Sequence, residues 1–346
     1  MLYVGVDHHK RCCQLAAVDE QGVVVKEGQV PTDREALRGF LAQLGQPCAA
    51  ALEAGRNWGL VYDWLEGLES VEEVQLAHPA KVKAIAWAKI KTDTIDARTL
   101  AQLLRANLLP TAHIPGQKIR ALKNLLRQRI FLVVVRTMLK NRIHALADRH
   151  HLPTEKFSDL FGVKGRGFLQ EAAEQLPAPD RELLRQDLGL LDQVRTHIRA
   201  TEGWLKQASK ADERVVWLRS LPGIGKFFAL VIVAEIDTIE RFATPQKLAS
   251  YAGLVPATYA SGGRVFHGRL TKQGNKYLRW ALVEAVWPAI RKSPWLRGLY
   301  ERVKARHGAN GAKAAVARKL CELVWYVLKE RRAYEERRPR VALFTS

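Results

Sequence analysis

Residues 2–28 read Leu2-Tyr3-Val4-Gly5-Val6-Asp7-His8-His9-Lys10-Arg11-Cys12-Cys13-Gln14-Leu15-Ala16-Ala17-Val18-Asp19-Glu20-Gln21-Gly22-Val23-Val24-Val25-Lys26-Glu27-Gly28. Three short β-rich runs, Leu2 to Val6, Gln14 to Val18 and Val23 to Gly28, are separated by tight polar turns such as Asp19-Glu20-Gln21-Gly22. That is the pattern of an antiparallel meander. Beyond it, Asp33 to Leu44 has helical spacing through Leu37, Phe40, Leu41 and Leu44, Cys48 to Leu52 is a buried-type strand, and Trp58 to Leu68 is helical again. Val74 to Ala77 makes a last strand and Pro79 opens a further helical stretch. Thr92 is placed to cap a helix from Asp93 to about Arg105.

Three antiparallel strands followed by β-α-β units is the order of a ribonuclease-H-like fold, so an α/β N-terminal domain is expected over 1–110. In that order Asp7 ends the first strand, Glu53 ends the first strand after the meander, and Asp93 and Asp96 share one face of a helix. Taken singly each has an ordinary explanation: a turn, a solvated strand end, or acids favoured at a helix N-terminus. Their joint placement points elsewhere. Four converging carboxylates repel one another unless divalent cations lie between them, and hard oxygen donors suit Mg²⁺ or Mn²⁺. Two such ions stabilise the attacking and leaving oxygens of a phosphodiester displacement. His8 and His9, beside Asp7, read as turn or surface histidines in preference to ligands.

Farther along, Leu125, Leu132, Leu139 and Leu146 recur every seven residues, as do Leu184, Leu191, Ile198 and Leu205. This spacing predicts two long helices, with a coiled-coil seam and an ordinary amphipathic core both open. Between them Pro153, Gly162, Gly165, Gly167, Pro177 and Pro179 mark a connector. A helical coiled-coil linker region is thus expected over 111–214. The segment Leu221-Pro222-Gly223-Ile224-Gly225, before an apolar run through Ile236, has the form of a helix-hairpin-helix element. Its glycines permit a tight turn, and free N–H groups of Gly223, Gly225 and Lys226 can face a phosphate. A purely structural turn competes with that reading. Ala260 to Lys272 reads as a Gly-rich basic loop within a mainly α C-terminal domain over 215–332, and 333–346 is a basic tail.

The 346 residues carry 55 Lys+Arg against 35 Asp+Glu, a net charge of +20, which favours a polyanionic partner. The excess is concentrated: Ser261 to Trp280 holds Arg264, Arg269, Lys272, Lys276 and Arg279 and no acid. Hydrophobic residues at 47% describe a folded protein. Cys12, Cys13, Cys48 and Cys321 form no C-x-x-C pair, which fits a reducing cytoplasm and argues against a structural zinc site. With no long apolar run and no leader-like start, neither secretion nor membrane insertion is expected.

Val4-Gly5-Val6-Asp7-His8-His9-Lys10, Leu52-Glu53-Ala54 and Lys91-Thr92-Asp93-Thr94-Ile95-Asp96-Ala97 resemble the N-terminal RuvC-like domain of the insertion-sequence family one hundred and ten transposases. Leu221-Pro222-Gly223-Ile224-Gly225, Tyr251-Ala252-Gly253-Leu254-Val255-Pro256, Ser261-Gly262-Gly263 and Thr271-Lys272-Gln273-Gly274-Asn275 are similar to that family's C-terminal domain. The resemblance implies a DNA strand-transfer enzyme in which Asp7, Glu53, Asp93 and Asp96 hold Mg²⁺ and Ser261 attacks a DNA phosphate to form a covalent phosphoserine link. It further implies a homo-oligomer, dimer or tetramer, in which the acidic domain of one subunit completes the site around another's serine. A structured guide RNA, the bridge RNA, would pair with donor and target DNA. Without the resemblance Ser261 reads as an ordinary loop serine, because a hydroxyl needs a base or metal to become a nucleophile. Alternatives are a site-specific DNA invertase of the same design, a non-catalytic nucleic-acid-junction-binding protein and a junction-cutting hydrolase.

Overall fold

In the computed structural model, which describes residues 1–86, 92–210, 212–261, 264–271 and 273–335, the meander forms β1 (Leu2–His8), β2 (Cys12–Val18) and β3 (Val24–Pro31). There follow α1 (Arg34–Ala42), β4 (Cys48–Glu53), α2 (Trp58–Glu66), β5 (Val71–Ala77), α3 (Pro79–Ile85) and α4 (Asp93–Arg105). The five-stranded sheet has the order β3-β2-β1-β4-β5. β1 runs antiparallel to β2 and parallel to β4, and β4 is parallel to β5. This is the mixed α/β arrangement expected from the sequence, and it fits a RuvC-like fold.

Side-chain alternation sorts the two faces of the sheet. Leu2, Val4, Val6 and Leu52 pack on one face with Leu37, Phe40 and Leu41 of α1 and Val61 and Leu65 of α2. On the other face, Ala49, Ala51 and Ala77 meet Leu100, Leu103 and Leu104 of α4. Small residues there let α4 lie close to the strands. At Gly5 the approach is so tight that a Cβ would fall 1.9 Å from the Ala97 carbonyl oxygen and 2.7 Å from the Ala101 nitrogen. Arg98 fastens the same helix to β3 through two hydrogen bonds to the Glu27 carboxylate, both 2.7 Å. These elements make up a compact unit, Met1–Ile114.

The second unit, Pro115–Ser346, is mainly helical. It opens with α5 (Gln117–Arg149), followed by α6 (Val163–Gln175) and α7 (Ala178–Lys210). Salt bridges link α5 and α7 as an antiparallel pair, Arg129 to Glu202 at 2.8 Å and Arg142 to Asp187 at 3.2 Å, and just past the end of α5 His150 Nε2 lies in hydrogen-bond contact with Asp180 Oδ2 at 2.8 Å. Leu132, Leu139, Leu146, Leu184, Leu191, Ile198 and Leu205 are buried and Leu125 is partly buried, so the seven-residue spacing marks the inward face. The connector between α5 and α7 contains α6. Gly165 is helical there, and a Cβ on it would meet the Leu160 carbonyl oxygen at 2.4 Å, so that glycine serves close packing and not a turn.

The remaining elements are α8 (Glu213–Arg219), α9 (Lys226–Ile236), α10 (Pro245–Tyr251), β6 (Pro256–Ser261), β7 (Arg264–Leu270), α11 (Lys276–Glu284), α12 (Val286–Lys292) and α13 (Pro294–Glu330), the last interrupted at Gly308. Residues Ala229 to Ile236 of α9 are buried without exception, and α9 shares one core with α11, α12 and α13. The basic segment expected as a loop is instead an antiparallel hairpin of β6 and β7, with Ser261 paired to Arg264. Among the described residues no helix is long and apolar enough to cross a membrane.

Candidate functional site

Gly5 and Asp7 are two residues apart on β1 and face the same side, so the close seating of α4 at Gly5 brings the helix start toward Asp7. The start is fixed by Thr92, whose Oγ1 accepts from the Ile95 N–H at 3.3 Å. Glu53 follows Leu52, the register partner of Val6, and so emerges beside Asp7 at the C-terminal ends of two parallel strands. Asp7, Glu53, Asp93 and Asp96 all line one cleft of about 710 Å³, with His8 and His9.

The tightest grouping in the cleft joins Asp7, Asp93 and His9, whose ligand-type atoms lie within 4.8 Å of one another. His9 Nε2 stands 3.3 Å from Asp7 Oδ2 and 3.3 Å from Asp93 Oδ2. Its backbone is held by a turn in which His9 N–H donates to the Cys12 carbonyl at 2.8 Å and the Thr32 hydroxyl donates to the His9 carbonyl at 2.9 Å. Burial pushes the Asp7 carboxyl above its ordinary value. The His9 imidazole pulls it back, and the negative charges of Asp93 and Asp96 push it up again. Such a site is short of positive charge, and carboxylate oxygens with one imidazole form a donor set that divalent cations accept. Both ring nitrogens of His8 are buried without a hydrogen-bond partner among the described residues, and burial lowers its affinity for a proton.

Ser261 lies in the second unit, at the last position of β6. The side chains of Ser261, Arg264 and Arg269, and Lys272 altogether, lie outside the described residues. The base of the hairpin is well tied: Thr271 N–H donates to the Val255 carbonyl at 3.1 Å and Asn275 N–H to the Tyr251 carbonyl at 2.7 Å. Asn275 also caps α11, its Oδ1 accepting from Tyr277 and Leu278 N–H. Its Nδ2 donates to Glu235 Oε2 at 2.8 Å and to the Tyr251 hydroxyl at 3.1 Å. Glu235 is 3% exposed and also holds Arg127 at 3.1 Å and Lys123 at 3.6 Å. This buried network is not announced by the sequence, since its members are far apart along the chain.

The expected helix-hairpin-helix segment lies between α8 and α9. Gly223 has a left-handed φ of 82°, and a Cβ there would meet the Ala285 carbonyl oxygen at 2.3 Å, which gives this glycine a packing role. Gly225 and Lys226 are exposed at the start of α9, where no side chain caps the helix. Lys276 is exposed at the start of α11, whereas Arg279 is half-buried and donates to the Ala252 carbonyl at 3.0 Å.

Residues 4–152 match a family model described as Transposase, of the DEDD IS110 type, and residues 216–301 match one described as Transposase IS116/IS110/IS902 family. The first range contains the acidic cleft and the second contains Ser261. The chain is 27% identical to a probable family 20 transposase of Pseudomonas aeruginosa, the match covering 96% of this chain and 98% of the relative. It is 27% identical to the transposase for insertion sequence element IS1111A of Coxiella burnetii, over 96% of this chain and 90% of the relative. It is 25% identical to the transposase for insertion sequence element IS1328 of Yersinia enterocolitica, over 94% and 96% respectively.

Proposed function

Because the chain belongs to the IS110 family of insertion-sequence transposases and is thus a DNA transposase, we propose that it exchanges strands through two groups on separate units, the acidic cleft and Ser261. The observation that carries this reading is the convergence of Asp7, Glu53, Asp93 and Asp96 on one cleft at the ends of β1 and β4. These carboxylates, with His9, would hold Mg²⁺ or Mn²⁺. Bound there, such ions polarise phosphodiester oxygens and lower the pKa of an attacking hydroxyl.

In this reading the Ser261 oxygen forms a bond to a DNA phosphorus and a deoxyribose oxygen leaves with a proton. One phosphodiester replaces another, so bond energy is conserved and a second exchange can reseal the strand without a nucleotide co-substrate. The charge of +20 supports engagement of two DNA duplexes and of a structured guide RNA, and a homo-oligomer would bring two or four copies of each group to one junction. Arg264, Arg269, Lys272 and Lys276 would meet phosphates around the serine.

The test is a reaction on DNA carrying the element's ends, in Mg²⁺, resolved under denaturing conditions. A protein–DNA adduct is expected in the wild type and absent in Ser261→Ala. Asp7→Asn, Glu53→Gln, Asp93→Asn and Asp96→Asn should each lose cleavage while retaining DNA affinity, since they remove charge and keep volume. Cleavage with no adduct would instead assign the acidic cleft to hydrolysis by activated water.

A further inference from the structure

Midway along the α5–α7 pair, Arg136, Arg166, Arg195 and Arg199 line a cavity of about 540 Å³. Three helices supply them: α5 gives Arg136, α6 gives Arg166 and α7 gives the other two. Two of the four are structural in part. Arg166 donates through Nη2 to the Leu188 carbonyl at 3.1 Å and pairs with Asp192, and Arg195 donates to the Phe161 carbonyl at 2.8 Å. The other two, Arg136 and Arg199, pair with no carboxylate among the described residues. Glu202, the acid lining the cavity, is already engaged by Arg129 at 2.8 Å.

Arg166 leaves a donor group unused. Its side chain is 16% exposed, yet Nη1 is buried with no partner among the described residues. The start of α6 lies at the same cavity: Gly162 caps it with no side-chain hydrogen bond, leaving first-turn N–H groups for an anion. Val163 beside it is 93% exposed, so the mouth is open. The nearby Lys140 ammonium is pushed below its ordinary pKa chiefly by burial, with Asp159 pulling it up and Arg195 and Arg136 pushing it down.

We infer that this cavity is a nucleic-acid phosphate site, in which the four arginines and the α6 N-terminus hold a backbone phosphate of DNA or RNA well away in sequence from the serine hairpin. Planar guanidinium groups match phosphate oxygens two at a time, and a tetrahedral phosphate has enough oxygens to engage more than one of them at once. The site goes beyond the strand-exchange reading and needs neither the acidic cleft nor Ser261.

The experiment measures binding of fluorescent duplex DNA and, separately, of single-stranded RNA to the full chain across a salt series in Ca²⁺. Arg136→Ala with Arg199→Ala removes the two arginines without internal partners and keeps those that brace the helices. For duplex DNA the log–log salt slope should become shallower by up to about 0.9, and for single-stranded RNA by up to about 0.7, the loss of one phosphate contact. Loss confined to one probe identifies the source of the phosphate. Amide exchange at Val163 and Lys164 in the wild type should slow when that probe is bound, a readout independent of any variant's folding. Unchanged slopes for both probes, or exchange at α6 unmoved by saturating nucleic acid, would overturn the site. Because binding is read without turnover, failure here leaves the cleavage and adduct tests standing, and the reverse holds as well.

Discussion

A Cβ on Gly5 would sit 1.9 Å from the carbonyl oxygen of Ala97, so the helix that carries Asp93 and Asp96 rests on β1 at the one residue with no side chain to hold it off. Asp7 is two residues further along the same strand face.

Gly5→Ala should therefore damage both fold and site. Overpacking against backbone costs about 1–3 kcal/mol, and α4 must retreat to relieve it. We expect a lower urea midpoint with an unchanged slope, and Mn²⁺ affinity at the cleft reduced at least several-fold. Gly28→Ala is the matched control, because its Cβ would meet Phe40 at an ordinary 3.4 Å.

His9 as a donor gives a prediction opposite in sign to His9 as a mere counter-ion. If its imidazole binds the cation, His9→Ala should weaken Mn²⁺ binding more than Mg²⁺ binding, since nitrogen donors favour the transition metal. Electron spin-echo spectra of the Mn²⁺-loaded wild type should show ¹⁴N coupling that the variant lacks. A counter-ion competing with the metal would make His9→Ala bind Mn²⁺ more tightly.

Glu235 holds together elements from three parts of the second unit: α5 through Lys123 and Arg127, α9 on which it lies, and the start of α11 through Asn275. Removing a buried carboxylate from such a network costs about 3–5 kcal/mol because the cations stay behind. Glu235→Ala should lose that much in denaturant titration. Asn275→Ala should lose less, about 1–2 kcal/mol for the cap.

Hydrogen bonds from Arg98 hold the Glu27 carboxyl below its usual range. A depressed acid stabilises the folded state fully above its unfolded value of about 4.3, and that contribution fades as pH falls through the lower folded value. Glu27→Gln should thus melt slightly below the wild type at pH 7, and the gap should narrow as pH falls below about 4.3. The effect is small because the pair is solvated. A constant gap across that range would show that packing, not charge, separates the two.

The four acids could be read from the sequence because each stands at the end of a strongly patterned element. The first β-rich run of the meander locates Asp7, the buried-type strand Cys48 to Leu52 locates Glu53, and the Thr92 cap locates Asp93 and Asp96. His9 escaped because it lies past the alternating run, and its approach to Asp93 depends on a helix far along the chain. The serine hairpin had a local signal in the β-branched and aromatic residues Thr258-Tyr259 and Val265-Phe266. Its basic residues and glycines gave an equally good loop. Gly165 and Gly223 look like turn formers, yet both are required by backbone packing that only tertiary structure creates. Buried ions such as Glu235 and Lys123 carry no local pattern at all.

The α5 helix runs for 33 residues, roughly 50 Å, as one continuous rod. Arg136 of the arginine cavity and Arg127, which grips Glu235, are two and a half turns apart on it, roughly 14 Å along the axis. A phosphate drawn into the cavity and the tether at the foot of the serine hairpin thus pull on a single axle. Rotation of α5 about its own axis cannot move one hold without moving the other.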